Sequence, residues 1–166
     1  MKSSETLVTI KVSVETWIAT ALLHCDNPQR GDFTINEIVE RALKENLNGR
    51  LRPGVRIHAT LHCVANFAPN PARYRMLFST GRSTRRLFRP GDSYDPGREG
   101  GKILPEVVEV PEEYRYLLDW YHSEYAGIGS KQAPKSSILA LRGLGRDIWD
   151  GEDADSYVAR LREGWK

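Results

Sequence analysis

The chain has 166 residues, a formal net charge of only +2, 40% hydrophobic residues and 28% charged residues. These values are typical of a soluble globular protein that is long enough to bury a core. No apolar run approaches the roughly 18 residues that cross a bilayer, and residues 1–11 lack the apolar centre of a signal peptide. We therefore expect a cytoplasmic protein with no membrane partner.

The two cysteines, Cys25 and Cys63, are too few and too far apart for a disulfide framework or a CxxC pair. Each follows a histidine, and His58 precedes His62 by one helical turn, so a metal site can be drawn from these residues. Zinc ligands are usually paired more tightly in sequence than this. We predict buried or half-buried thiols, and no metal or other cofactor.

Charge is strongly segregated along the chain. Residues 50–98 contain ten arginines, no lysine and only two acidic residues, which is a local charge of +8. The flanking segments, 1–49 and 99–166, have local charges of −2 and −4. Because the planar guanidinium suits phosphate oxygens and guanine edges, segment 50–98 predicts a nucleic-acid contact surface.

A strand and a helix are predicted at the start of the chain. Alternation of apolar and polar residues over 7–12 favours a short strand that can join a sheet formed later. Ser13 is then placed to cap a first helix that ends near His24, because apolar residues recur every three or four positions between them.

The second predicted helix has the strongest start signal in the chain. Residues 34–37 fit a capping box, in which the first and last side chains each bond to the other's backbone N–H. Phe33 and Ile38 are spaced for the hydrophobic staple that often accompanies this box. The helix is expected to end at the Asn-Gly pair over 48–49.

A third helix is predicted to open at Pro53, whose missing N–H costs nothing in a first turn. We expect Ile57, Leu61 and Val64 to face the core. The opposite face would be small, polar and cationic, which suits insertion into a major groove. Its members are Arg56, Ala59, His62, Cys63 and Asn66, with His58 at the edge.

The periodicity changes to two after residue 71. A strand is predicted over 73–78, with Arg73 and Arg75 on one face. Its apolar face is formed by Tyr74, Met76 and Phe78. Residues 80–83 predict a hairpin turn that leads to a second strand over 85–88. Three helices followed by an arginine-rich hairpin are the order of a winged helix-turn-helix, an α+β fold.

The rest of the chain predicts a closing helix, a linker and an arm. Pro111 starts the closing helix, whose apolar stripe completes the core. The stripe consists of Tyr114, Leu117, Leu118, Tyr121 and Tyr125. Residues 126–135 are the linker between a domain over 1–125 and a helical arm over 136–166. So short an arm cannot bury its own apolar side chains, so we expect it to dock on a partner.

Double-stranded DNA is the predicted ligand of the basic domain. In a winged helix the third helix reads the major groove, so the candidates for base contacts are Arg56, His62 and Asn66. The hairpin would lie along phosphates or in the minor groove. The candidates for those contacts are Arg73, Arg75, Arg82, Arg85, Arg86 and Arg89.

Most of the domain resembles a bacterial domain family of unknown function. The resemblance covers roughly residues 7–125, and its motifs are WIATALLH, HCVAN, YRML and RLFRPGD, which begin at Trp17, His62, Tyr74 and Arg86. We associate members of this family with winged-helix folds. The resemblance therefore implies the fold more than the function.

The arm over 136–166 resembles the C-terminal toxin-binding arm of type II antitoxins of the VapB kind. The similar stretches are LALRGLGRDIW from Leu139 and DADSYVARLREGW from Asp153. In that family the arm wraps a PIN-domain ribonuclease toxin. By this resemblance Arg142 or Arg146 would occlude the toxin's acidic site. The anchoring residues would be Leu141, Ile148, Trp149, Tyr157, Leu161 and Trp165.

No catalytic motif is found in the sequence: there is no Gly-rich phosphate loop, GxSxG, HExxH or spaced carboxylate set within the basic segment. We predict that the chain is not an enzyme. We predict instead a DNA-binding antitoxin and transcriptional autorepressor whose arm neutralises a PIN-type toxin. The alternative is a winged-helix DNA reader or adaptor accessory to a restriction or defence system, with the arm packed on its own domain. Homodimer formation stays open.

Overall fold

A computed structural model of the chain describes residues 9–49 and 53–129. Within these ranges, helices and a small antiparallel sheet surround a hydrophobic core, so the predicted α+β class is confirmed. The linker beyond Gly129 and the predicted arm over 136–166 lie outside the described residues.

The main elements follow one another in a simple order. They are α1 (Val12–Asp26), β1 (Phe33–Thr34), α2 (Ile35–Glu45), α3 (Gly54–Ile57), β2 (Leu77–Ser79), β3 (Thr84–Leu87), α4 (Tyr116–Trp120) and α5 (Ala126–Gly129). Two π-helical turns, His58–His62 and Tyr121–Tyr125, directly continue α3 and α4. Short 3-10 turns span Pro96–Arg98, Val107–Glu109 and Glu112–Tyr114.

The start of α1 differs from its prediction. Residues 9–11 form no strand, and the helix begins at Val12 with Lys11 as its N-cap. Ser13 is therefore a buried helical residue and does not cap the helix. The backbone N–H of Ile10 donates to the side chain of Asn48 at 3.2 Å, which ties this segment to the end of α2 and not to a sheet.

The start of α2 confirms its prediction. The Thr34 hydroxyl accepts from the Glu37 N–H at 3.2 Å, and the Glu37 carboxylate accepts from the Thr34 N–H at 2.8 Å. Phe33 and Ile38, the predicted staple residues, are both fully buried. The helix ends earlier than expected, at Glu45, because Asn46 adopts the left-handed conformation with φ of 51°.

The three strands form an antiparallel sheet in the order β1-β3-β2, and the predicted hairpin joins β2 to β3. Leu77 pairs with Leu87, and both are fully buried. Phe78 is predicted to share the apolar face with Met76, but Met76 is buried and Phe78 is only half-buried. The N–H groups of Met76 and Leu77 both donate to the carbonyl of Cys63, which shifts the strand's alternation by one residue.

The predicted facing of the third helix is also wrong, except at Val64, which is fully buried as expected. Val55, Ala59 and Cys63 are fully buried, whereas Ile57 is 50% exposed. The π-helical turn affects only the end of this helix, where the Cys63 N–H bonds to the carbonyl of His58, five residues earlier, at 3.0 Å. The small side chains at the buried positions let this helix pack closely on α1 and α2.

The predicted apolar stripe of the closing helix is confirmed. It begins as a 3-10 turn and continues through α4 and its π-helical turn, burying Leu117, Leu118, Tyr121 and Tyr125, with Tyr114 partly buried. Tyr121 and Tyr125 each donate a hydroxyl hydrogen bond to a backbone carbonyl at the end of β3, the second at 2.8 Å. This helix therefore holds the sheet from the side opposite the hairpin turn.

His24 makes the fold sensitive to acid. Its ring lies between those of Phe33 and Tyr125, each with centroids 4.8 Å away, and its Nε2 accepts from the Leu87 N–H at 3.4 Å. Burial, assisted by the nearby charge of Arg89, lowers the pKa of His24 to about 4. In the unfolded chain the pKa returns to about 6.5. The resulting stabilisation is present above pH 6.5 and is lost as the pH falls through 4.

We expect the free energy of unfolding to fall by about 2 kcal/mol between pH 7 and pH 4 because of this histidine. His24→Gln keeps a hydrogen-bond acceptor but does not titrate, so it should flatten that part of the profile. Urea denaturation at intervals of one pH unit measures both curves. Glu37→Gln is the control: the Arg30 hydrogen bond lowers the pKa of Glu37 to about 2, so its effect belongs below pH 4.5. An unchanged slope in His24→Gln would contradict the assignment.

Candidate nucleic-acid interface

The structure divides the nine predicted DNA-binding residues by exposure. Arg56, Arg73 and Arg82 are exposed, and Arg85 is buried. The remaining five are half-buried: His62, Asn66, Arg75, Arg86 and Arg89. The number of arginines in the sequence therefore overestimates the positive charge on the surface of this domain.

Arg85 lies inside the protein, with 1% of its surface exposed. Its Nε donates to the carbonyl of Ala59 at 3.0 Å, and one terminal nitrogen donates to that of Thr60 at 3.3 Å. The other terminal nitrogen donates to three oxygens at 2.7–3.0 Å, which belong to Ser79, Gly81 and Thr84. Burial lowers the pKa of Arg85, but a guanidinium stays protonated in proteins. The prediction that Arg85 contacts phosphate is therefore wrong: it joins the third helix to the hairpin turn.

Arg98 is a second internal arginine, which the sequence analysis did not single out. It is fully buried and ends a 3-10 turn that Asp95 caps by accepting from the Gly97 N–H at 2.8 Å. Its guanidinium donates to six backbone carbonyls at 2.6–3.3 Å, those of Leu61, His62, Phe67, Ala68, Ala72 and Tyr74. Arg98 thereby connects the end of the third helix to the irregular segment before β2.

Three of the half-buried predicted residues also have internal partners. Arg86 forms a two-pronged ion pair with Asp92 at 2.7 and 2.8 Å. Arg75 donates to the carbonyl of Gly101 at 3.1 Å and lies 4.3 Å from the centre of the Tyr94 ring. The Asn66 amide accepts from and donates to the backbone of Ser79 at 2.9 and 3.1 Å. These side chains stabilise loops, and both polar atoms of the Asn66 amide are held by the Ser79 backbone.

One exposed surface still combines the third helix with the hairpin, and we call it the α3–hairpin surface. Its members are Arg56, Ile57, Thr60, Gly81, Arg82 and Ser83, all of them exposed. The two parts are adjacent because Arg85 binds the carbonyls of both Thr60 and Gly81. Arg56 is positioned by Asn36 of α2, whose side-chain oxygen accepts from it at 2.8 Å. Two guanidinium groups belong to this surface, and the Asp32 carboxylate borders it, accepting from the Thr80 hydroxyl at 2.5 Å.

A histidine–cysteine contact lies behind this surface. Nδ1 of His58 is 3.3 Å from Sγ of Cys63, and the His58 ring meets the His62 ring edge-on at 4.9 Å. The sequence alone groups these residues only as a metal site, whereas the observed His58–Cys63 contact joins residues five apart across a π-helical turn. Full burial raises the pKa of the Cys63 thiol, so it supplies no thiolate for catalysis. Burial also raises the pKa of Cys25 to about 11.

Comparisons with known proteins assign no family to this chain: no protein-family model, no curated protein and no solved structure matches it. Over residues 9–49 and 53–129, no helix is long and apolar enough to cross a membrane. Within the same ranges, no group of three or more His, Cys, Asp or Glu side chains is arranged to hold a metal ion.

Proposed function

We propose that residues 9–129 form a winged-helix domain that binds double-stranded DNA. The order of elements supports this: a helix, a short strand, two further helices and then a two-stranded hairpin. The first strand pairs with the last, which gives the sheet order β1-β3-β2. In such a domain the third helix and the hairpin turn lie side by side and contact the same duplex.

The observation that carries the proposal is the bridge made by Arg85. It places Arg82, at the tip of the hairpin, on the same surface as Arg56 and Thr60 of the third helix. A side chain at the hairpin tip suits a phosphate or minor-groove contact, and side chains of the third helix suit base edges. Arg56 and Thr60 are therefore the proposed base-contacting residues. Arg82 is the proposed phosphate contact.

Salt dependence tests the proposal. We expect the full-length chain to bind a random duplex, with fluorescence anisotropy as the measurement. If three phosphates are contacted, affinity should fall about 40-fold between 50 and 200 mM NaCl. Arg82→Ala should weaken binding about 5- to 10-fold for every sequence and should reduce the slope of log affinity against log salt by about one.

Arg115→Ala is the matched control, since Arg115 is an exposed arginine next to α4 and far in sequence from the α3–hairpin surface. It removes the same charge and should change affinity less than twofold. An equal loss in both variants would mean that only net charge matters. An absence of salt-dependent binding in the unmodified chain would remove the DNA proposal.

A protein-binding adaptor is the second candidate. Two observations favour it: Arg85, Arg86 and Arg98 are engaged inside the domain, and Leu43 and Ile57 are about half exposed. An apolar partner surface could cover those two side chains. Failure of the unmodified chain to bind DNA would favour this candidate. The antitoxin role of residues 136–166 stays a prediction, because those residues lie outside the described ranges.

A further inference from the structure

A small cavity lies between the end of α1 and the closing helix, with a volume of about 230 Å³. It is lined by His24, Cys25, Pro28, Arg30, Arg89, Trp120, Glu124 and Tyr125. None of these residues belongs to the α3–hairpin surface, so the proposed DNA contact does not use the cavity. Its lining combines cations with aromatic rings, which is a composition typical of ligand sites.

Arg89 is the unusual member of this lining. Its Nε is buried and has no hydrogen-bond partner, and its side chain forms no ion pair with any described residue. Its guanidinium carbon lies over the Tyr125 ring, 4.4 Å from the ring centre. A half-buried cation without a counter-ion is costly, and a bound anion would remove that cost through charge-assisted hydrogen bonds. Arg89 lines the cavity, so its terminal nitrogens can meet such an anion there.

The other charged residues around the cavity limit the charge of the anion that it can bind. Arg30 is already engaged, because Glu37 accepts from both of its terminal nitrogens at 2.6 and 3.1 Å. His24 is buried and its Nε2 already accepts from a backbone N–H, so it adds no positive charge at neutral pH. Glu124 is exposed at the rim and opposes negative charge. One free cation beside one rim carboxylate suits a singly charged anion better than a doubly charged phosphate.

The rings that line the cavity indicate the shape of the ligand. The rings of Trp120 and Tyr125 lie 5.5 Å apart at an angle of 39°, and Pro28 adds a further flat surface. Such walls favour a flat, unsaturated body. The volume admits one ring with its substituent and is below that of typical drug-sized sites.

We propose that this cavity binds a small planar carboxylate, with Arg89 holding the carboxylate and the half-buried Trp120 packing against the ring. The carboxylate matches the guanidinium edge in two parallel hydrogen bonds. The ligand acts as a bound effector and takes part in no chemical step.

The test uses 4-fluorobenzoate as the probe and the full-length chain at pH 7 and low salt. Saturable broadening of the ¹⁹F signal is expected, and Arg89→Gln should weaken the affinity at least tenfold. Arg115→Gln is the matched control, since it removes an exposed guanidinium that does not line the cavity and should change affinity less than twofold. Equal losses in the two variants, or no saturable binding by the unmodified chain, would overturn the proposal.

The Glu124→Gln variant distinguishes a specific loss of probe binding from a loss caused by unfolding. Removing the rim carboxylate should tighten 4-fluorobenzoate binding about two- to threefold, a gain that an unfolded protein cannot show. Inorganic phosphate at equal concentration should displace the probe poorly. Unchanged or weaker binding in Glu124→Gln, or full displacement by phosphate, would mean that the cavity is not the carboxylate site proposed.

Discussion

Replacement of Arg98 by methionine is expected to lower the free energy of unfolding by about 3–5 kcal/mol. Methionine fills similar space but donates nothing, so six carbonyls lose the donor that satisfies them. Each buried carbonyl left without a partner costs about 1–3 kcal/mol, partly recovered by relaxation or entering water. Urea denaturation of the full-length chain, followed by circular dichroism, measures the loss.

Two further variants make this test specific. Arg98→Lys keeps the charge but has only three donors, so it should recover less than half of the loss. Arg73→Gln removes an exposed arginine from the same segment and should change stability by less than about 0.5 kcal/mol. Similar stability of Arg98→Met and Arg73→Gln would show that the buried guanidinium contributes little.

Replacement of Arg85 by methionine should have two consequences, because this side chain connects two parts of the domain. We expect a loss of about 3 kcal/mol in the free energy of unfolding, since five oxygens lose their donor. The hairpin turn should also separate from the third helix. Amide hydrogen exchange at Thr80, whose N–H donates to Thr84 at 3.2 Å, should then accelerate at least tenfold.

Arg56→Met serves as the control for this second test, because it removes an exposed guanidinium from the same helix. Its hairpin amides should exchange as in the unmodified protein. If the third helix and the hairpin turn both contact DNA, Arg85→Met should lose more DNA affinity than Arg82→Ala, even though Arg85 is buried. Normal protection of Thr80 in Arg85→Met would contradict the bridging role.

Because several arginines are internal, the positive charge of residues 50–98 does not all lie on the protein surface. Arg85 and Arg98 supply donors to carbonyls of irregular backbone, which a small sheet and short helices leave without partners. Arg86 is neutralised by Asp92, one of the two acids in that segment. A local charge of +8 in the sequence therefore belongs partly to the interior, and the surface charge is carried by fewer side chains.

Several features could be predicted because their signals are local. The Thr34–Glu37 capping box depends on bonds between residues three apart, and the hairpin turn depends on residues 80–83. The stripe of the closing helix repeats at helical spacing, so its burial follows from periodicity. Each of these patterns is complete within a short stretch of chain. The α+β class follows from them.

The facing of the third helix and the position of the arginines depend on tertiary structure. At the end of this helix a π-helical turn replaces the 100° step with a smaller one, and nothing between Pro53 and Cys63 signals that change. The partners of Arg98 are carbonyls up to 37 residues away, and every residue type has a carbonyl, so no side-chain pattern marks them. Whether an arginine reaches solvent or backbone is therefore decided by packing between distant segments, because burial and long-range hydrogen bonds exist only in the folded chain.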